Sequence, residues 1–120
     1  MQKATPTSRY VVSSNATIEE ALKAITLNKR GAVIVIDPKS KVLGIASDGD
    51  IRRALVRGSN VMAPVAKAMN PNIVFAKKGS AEDKDPASFF RAHRNITLLP
   101  IVTADFVLAH LYKLPDSAEA

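Results

Sequence analysis

One short stretch has the residue types and spacing to hold a nucleotide: Ser47, Asp48, Gly49 and Asp50, followed by Arg52 and Arg53. The Ser47 hydroxyl can donate to a phosphate oxygen. Asp50 repels phosphate, but a carboxylate can accept both hydroxyls of a ribose. Val42 to Ala46, just ahead, is a short apolar run and reads as a buried strand. Ser47 to Gly49 breaks that run with turn residues. Ile51, Ala54 and Leu55 then recur at helical spacing and Gly58 follows as a stop, so a helix is expected from about Gly49 to Arg57. A helix start leaves N–H groups unpaired and carries partial positive charge, which suits phosphate. The same Ser47-x-x-Asp50 also fits a capping box, with Ser47 bonding the N3 amide and Asp50 reaching back. On the four-residue pattern alone the cap is the favoured reading.

The elements that must position this stretch can be read in order. Tyr10 to Val12 is a short strand. Thr17-Ile18-Glu19-Glu20 is a second capping-box pattern, and Ile18, Ala21, Leu22 and Ile25 form one apolar stripe. A helix is therefore expected over Ile18 to Asn28, with Lys29 and Arg30 in its last turn and Gly31 ending it. Val33 to Ile36 reads as a central buried strand and Asp37 to Ser40 as a turn. Beyond Gly58, Val65 to Met69 makes at most one helical turn, and Ile73 to Phe75 reads as a strand. Lys77 to Lys84 reads as a loop. Asp85-Pro86 caps a helix that ends near Arg94, with Phe89, Phe90 and His93 on its apolar face. Leu98 to Val102 is a strand whose Pro100 argues for an irregular or edge position. Ala104-Asp105 is a turn and Phe106 to Tyr112 the last strand; His93 and His110 are both read as core residues.

The chain has 120 residues, 47% of them hydrophobic, enough for a real core and against general disorder. Its longest apolar runs are too short to span a bilayer, and no basic-then-apolar leader is visible, so a cytoplasmic location is expected. Cysteine is absent, which excludes disulfides and thiolate metal sites. With two histidines at no metal-ligand spacing, no metal site is expected. The net charge of +6 favours anionic partners, yet the basic residues are scattered and not interleaved with aromatics. Nucleic acid is not an expected partner.

The second half repeats the order strand, helix, strand, strand. Aligning Ile34-Val35-Ile36 with Pro100-Ile101-Val102 puts Ser47 on Tyr112 and Asp50 on Pro115, and makes the second hairpin one residue shorter. Two such units can bury their sheets against each other as a pseudo-twofold pair.

Gly44-Ile45-Ala46-Ser47-Asp48-Gly49-Asp50 resembles the Gly-hydrophobic-x-Thr/Ser-x-x-Asp signature of CBS (cystathionine-β-synthase) domains, which bind adenine nucleotides in many regulatory modules. Leu43 to Val56 is similar to the first repeat of the pairs attached to sugar nucleotidyltransferases and sugar-phosphate isomerases. Met69-Asn70 looks like that group's connector, and His110-Leu111-Tyr112 like its closing segment. The resemblance covers about Val12 to Leu114. It implies an α+β fold of two β-α-β-β-α repeats, the second lacking its last helix: residues 1–9 a flexible arm, 10–58 the first repeat, 59–70 the connector, 71–114 a degenerate second repeat and 115–120 a frayed tail. It also implies a nucleotide site on Gly44, Ala46, Ser47, Asp48, Gly49, Asp50 and Arg52, with the base beside Gly31, Ala32 and Val33 and near Thr17 or Ala16. Arg52 and Arg53 can reach phosphate or be solvated, and for Arg53 solvation is the favoured reading.

Because the second repeat lacks the hydroxyl and carboxylate in this alignment, one working site is expected, in the first repeat. What the resemblance implies is a non-catalytic nucleotide sensor in a homodimer. Its partner would be a nucleotidyltransferase or isomerase catalytic domain, and its ligand AMP, ADP, ATP, S-adenosylmethionine or a cytidine sugar nucleotide. A ligand-free dimerisation or docking module is the alternative, and a small enzyme acting on a phosphorylated sugar a third reading. Whether the chain is a fragment or a free-standing subunit is open.

Overall fold

The computed structural model describes residues 3–4 and 9–115; the rest of the expected arm and tail lies outside the described residues. The elements in order are β1 (Lys3–Ala4), β2 (Val11–Ser13), α1 (Ile18–Asn28), β3 (Ala32–Ile36), β4 (Val42–Ser47) and α2 (Asp48–Val56). A 3-10 turn (Val65–Lys67) leads to β5 (Ala76–Lys77), α3 (Ala81–Lys84), α4 (Pro86–Ala92), β6 (Leu98–Val102) and β7 (Leu108–Lys113). Two small sheets result, ordered β2-β3-β4 and β1-β7-β6-β5. Lys3–Ala4, within the expected arm, is a strand antiparallel to β7.

Each sheet mixes one parallel pair with one antiparallel hairpin. β3 is buried from Ala32 to Val35 because both its faces are covered. One face packs Val33 and Val35 against Ile18, Ala21 and Ile25 of α1 and Ile51 and Ala54 of α2. The other packs Ala32 and Ile34, with Val42 of β4, against Leu98 and Val102 of β6 and Leu108 and Leu111 of β7. A third cluster sets Leu99 and Ile101 of β6 under Phe89 and Phe90 of α4. The layers are helix, sheet, sheet, helix, which is the α+β pseudo-twofold pair that the repeat implies.

The repeat is closer than the sequence alignment indicates. Ile36 pairs with Val42 and Val102 with Leu108, so the two hairpin loops have equal length. Both hairpins shift register at the same place, and Ser40 and Phe106 take the same left-handed conformation at φ 65°. The counterpart of Ser47 is therefore Lys113 and not Tyr112, because Ala32 pairs with Ser47 and Leu98 with Lys113. The counterpart of Asp50 is Asp116, outside the described residues, and not Pro115. The hairpins also meet at their tips: Val42 N donates to Phe106 O at 3.0 Å and Leu108 N donates to Ser40 O at 2.9 Å.

Other departures have physical causes. Ile73 to Phe75 is not a strand, because parallel pairing with β6 begins only at Ala76. Residues 77–84, expected as loop, include α3, started by Ser80 accepting from Asp83 N. Lys29, not Gly31, is the left-handed C-cap of α1; Gly31 follows, also at positive φ. β6 is an interior strand, yet Pro100 fits. Leu114 N donates to Thr97 O, so bonding alternates to leave Pro100 facing the β5 side, where pairing starts one residue later. The last strand starts at Leu108 and runs to Lys113, later than expected. His93 is exposed at the end of α4 and stacks on the Phe89 ring, 4.3 Å between centroids, so it is not a core residue.

Candidate functional site

β4 ends at Ser47 because the side chain caps α2. Ser47 Oγ accepts from Asp50 N at 3.1 Å, and Asp50 Oδ2 accepts from Ser47 N at 3.0 Å and from Ser47 Oγ at 2.9 Å. The capping box weighed at the outset is complete. Arg53 Nη2, one helical turn on, donates to Asp50 Oδ1 at 2.7 Å. Burial pushes the Asp50 carboxyl up, but the Ser47 hydrogen bonds and the Arg53 guanidinium outweigh it and hold the group below the usual carboxylate value.

Gly44 brings the connector to this end of β4. A Cβ on Gly44 would stand 2.5 Å from the Asn70 carbonyl oxygen, so only glycine allows the chain to cross here. Ile45 and Asn70 then exchange both backbone bonds. The α1–β3 turn is fixed from inside: buried Asn28 donates to Arg9 O and Ala32 O and accepts from Arg30 N. Arg30, also buried, donates through Nε to Leu114 O at 2.6 Å and through Nη1 to Asn28 O. Thr97 Oγ1 donates to Arg30 O at 2.7 Å.

These elements enclose a cleft of about 410 Å³ between the two repeats. Arg30, Gly31 and Ala32 form one wall, Ile45, Ser47, Asp50 and Arg53 the second, and Asn70, Asn72 to Val74 and Asn95 to Leu98 the remainder. The size is that of a small-molecule site, and the lining alternates apolar side chains with a few polar ones. It can hold a flat apolar group beside Ile73, Ile96 and Leu98, and a polar, anionic one near the two arginines.

Of the residues expected at a site, Ser47, Asp50, Gly31 and Ala32 meet on this cleft. Asp48 is exposed beside Gly31, and its N–H donates to Gly31 O. Gly49 lies against the Arg53 guanidinium. Gly44 serves the connector, Ala46 and Val33 are fully buried under the helices, and Ala16 packs against that core. Thr17 caps α1 with Glu20. Arg52 is exposed and off the cleft, while Arg53 is exposed, as expected of a solvated side chain, and also lines it. Arg30, Asn70, Asn72 and Thr97 were not expected. Asn70-Pro71-Asn72 carries a turn signal, and Asn72 N donates to Asn70 Oδ1 at 2.9 Å.

A second polar cluster lies in the other repeat. His110 Nε2 is 2.8 Å from Asp83 Oδ1, Tyr112 OH donates to the same oxygen at 3.0 Å, and Gly79 N donates to Oδ2 at 2.8 Å. His110 is thus a half-buried partner of Asp83 and not an apolar-core residue. The Gly79 bond, opposed by burial and helped by His110 and Tyr112, holds the Asp83 carboxyl below its usual value. Burial and the Asp83 carboxylate push the Tyr112 hydroxyl up. Among the described residues no cluster of metal-ligating side chains occurs, and no helix is long and apolar enough to cross a membrane.

The family model described as CBS domain matches residues 5–57. The chain is 31% identical over 116 residues to an uncharacterized 17.7 kDa protein of Acidianus ambivalens, covering 95% of this chain and 68% of that one. It is 32% identical over 105 residues to the arabinose 5-phosphate isomerase GutQ of Salmonella typhi, covering 87% of this chain and 32% of the isomerase, so it spans about a third of that enzyme's length. The fold is shared with a CBS domain protein from Pyrobaculum aerophilum complexed with AMP, at TM-score 0.64 and 17% identity over 86% of this chain and 78% of that one.

Proposed function

The chain belongs to the CBS domain family, and on that premise we propose that it is a regulatory module whose cleft binds an adenine or related nucleotide. The observation that carries this reading is the meeting of Ser47, Asp50, Arg53 and Gly31 on one inter-repeat cleft of nucleotide-compatible size. Asp50 takes the ribose hydroxyls, Ser47 and the start of α2 the phosphate, and the apolar residues facing Gly31 and Ala32 the base. Gly44, Ala46, Val33 and Thr17 act only in support of that geometry, and Arg52, exposed and off the cleft, takes no part in it. A ligand that fits one arrangement of the repeats better than another shifts the population toward it. That supplies an energy or metabolite signal without catalysis by this module.

The similarity to a sugar-phosphate isomerase supports such an enzyme, or a sugar nucleotidyltransferase, as the regulated partner in the cytoplasm. Leu27 on α1 and Val56 on α2 are 60% and 82% exposed, which supports a homodimer formed through these helices. The repeat boundaries 10–58 and 71–114, with 59–70 as connector, follow the same reading. A ligand-free docking module is the second reading. The completed capping box favours it, since Ser47 and Asp50 already satisfy each other.

Thermal unfolding of the chain with AMP, ADP, ATP, S-adenosylmethionine and a cytidine sugar nucleotide separates the two. A ligand at a hundredfold excess over its Kd adds about 2.7 kcal/mol to the native state. One nucleotide is expected to raise the midpoint, and Asp50→Ala to abolish the rise. No shift with any of them overturns the sensor in favour of the docking module.

A further inference from the structure

We propose that the pocket at the C-terminal end of α1 is a second ligand site, separate from the nucleotide cleft, for a small phosphate-type oxyanion with at least two negative charges. The pocket measures about 410 Å³, and the cationic residues Arg9, Lys29, Arg30 and Lys113 line it. No carboxylate among the described residues does. Arg30 is the one residue it shares with the nucleotide cleft. Thr97 and Leu98, the counterparts of Gly31 and Ala32, do not line it, so it is not that cleft's mate in the other repeat either.

Buried polar anchors gather these cations from distant parts of the chain. Asn28 and Arg30 are the buried polar side chains among the described residues, at 3% and 7% exposure, and both residues line this pocket. Asn28 Nδ2 donates to Arg9 O at 3.1 Å, and Asn28 Oδ1 accepts from Arg30 N at 2.7 Å, which sets residues 9 and 30 on either side of it. Arg30 Nε donates to Leu114 O, 84 positions on, and so brings in the neighbouring Lys113. Lys113 Nζ lies over the Tyr10 ring, 5.6 Å from its centre, on the same pocket.

Compensation of the helix end does not require so much charge. The C-terminus of a helix carries about half a negative charge. Arg9 Nη1 already donates to Leu27 O at 3.2 Å, in the last turn of α1. Lys29 and Lys113 then add two full charges that the helix end does not need. Like charges gathered at one pocket repel each other, and a multiply charged anion between them removes that cost. Ammonium groups beside a guanidinium are the donor set that suits a phosphate group.

Isothermal titration of the full chain at low ionic strength, with inorganic pyrophosphate and with glycerol 3-phosphate, tests this. Binding at a single site per chain is expected, and the tighter probe tells whether the site takes an inorganic anion or a phosphate ester. Lys29→Gln and Lys113→Gln should each weaken it about tenfold, the size of a lost charge-assisted hydrogen bond. Lys78→Gln, which removes an exposed cation beside β5, should change nothing. Equal weakening by Lys78→Gln marks a diffuse response to net charge and overturns the proposal. Loss of binding in Arg53→Gln places the anion in the nucleotide cleft and overturns it, as does the absence of binding by either probe. The outcome does not depend on whether the first cleft holds a nucleotide.

Discussion

Thr97 Oγ1 donates a 2.7 Å hydrogen bond to the backbone carbonyl of Arg30, 67 positions earlier, and so ties the residue before β6 to the residues leading into β3. Both residues line the cleft, and Thr97 is the counterpart of Gly31, the neighbour of Arg30. Thr97→Val keeps the shape and removes the donor. It is expected to cost about 1 kcal/mol in urea unfolding, and to weaken nucleotide binding as well, because Arg30 loses its anchor.

Ser47 and Asp50 form one box, so their contributions to stability should not add. Ser47→Ala is expected to cost about 1 kcal/mol, and the double variant with Asp50→Ala less than the sum of the singles. Equilibrium unfolding of the four proteins gives the coupling directly.

Gly44 and Gly49 both lie in the signature stretch but have different neighbours. A Cβ at Gly44 meets a backbone carbonyl at 2.5 Å, whereas at Gly49 it meets the mobile end of Arg53 at 3.4 Å. Gly44→Ala should therefore cost about 1–3 kcal/mol and displace Asn70 from the cleft. Gly49→Ala should unfold near the wild-type urea midpoint.

The Asp83 cluster sets a pH dependence. The folded carboxyl titrates below its ordinary value of 3.8, chiefly through the Gly79 bond, so its contribution is present above that value and is lost as pH falls through the folded pKa. The raised Tyr112 hydroxyl works at the other end: its contribution is full below its ordinary value of 10.0 and is lost as pH rises through the folded pKa. Urea midpoints measured from neutral pH down through the acid range should fall below about pH 4 in the wild type. Asp83→Asn should flatten part of that fall and lower the midpoint at neutral pH.

Local signals account for what was legible. Thr17 and Glu20 cap an apolar stripe, and α1 runs over the expected residues. Ser47 to Val56 was equally readable, because both the cap and its partner lie in sequence. What escaped depends on the other repeat. Ile73 to Phe75 has the composition of a strand, but its partner β6 is in register only with Ala76 and Lys77. Ser80-x-x-Asp83 carried a cap signal, but α3 has no buried residue behind it to mark a helix. Arg53 was separable from Arg52 by spacing alone, since a residue three beyond Asp50 shares its face and one two beyond does not. Asn28 and Arg30 gave no local sign of burial, because their partners include Arg9 and Leu114.

The tip-to-tip bonds between the hairpins have a consequence for how such a chain can arise and reassemble. Val42 donates to Phe106 while Leu108 donates to Ser40, so each repeat supplies one donor and one acceptor at equivalent places. A contact of that kind is isologous: two identical copies of a single repeat satisfy it as completely as two halves of one chain. The joint needs no covalent link to be self-complementary. It is the geometry by which a dimer of single repeats could be fused into one polypeptide without rebuilding its interface, after which the sequences of the two sites are free to diverge.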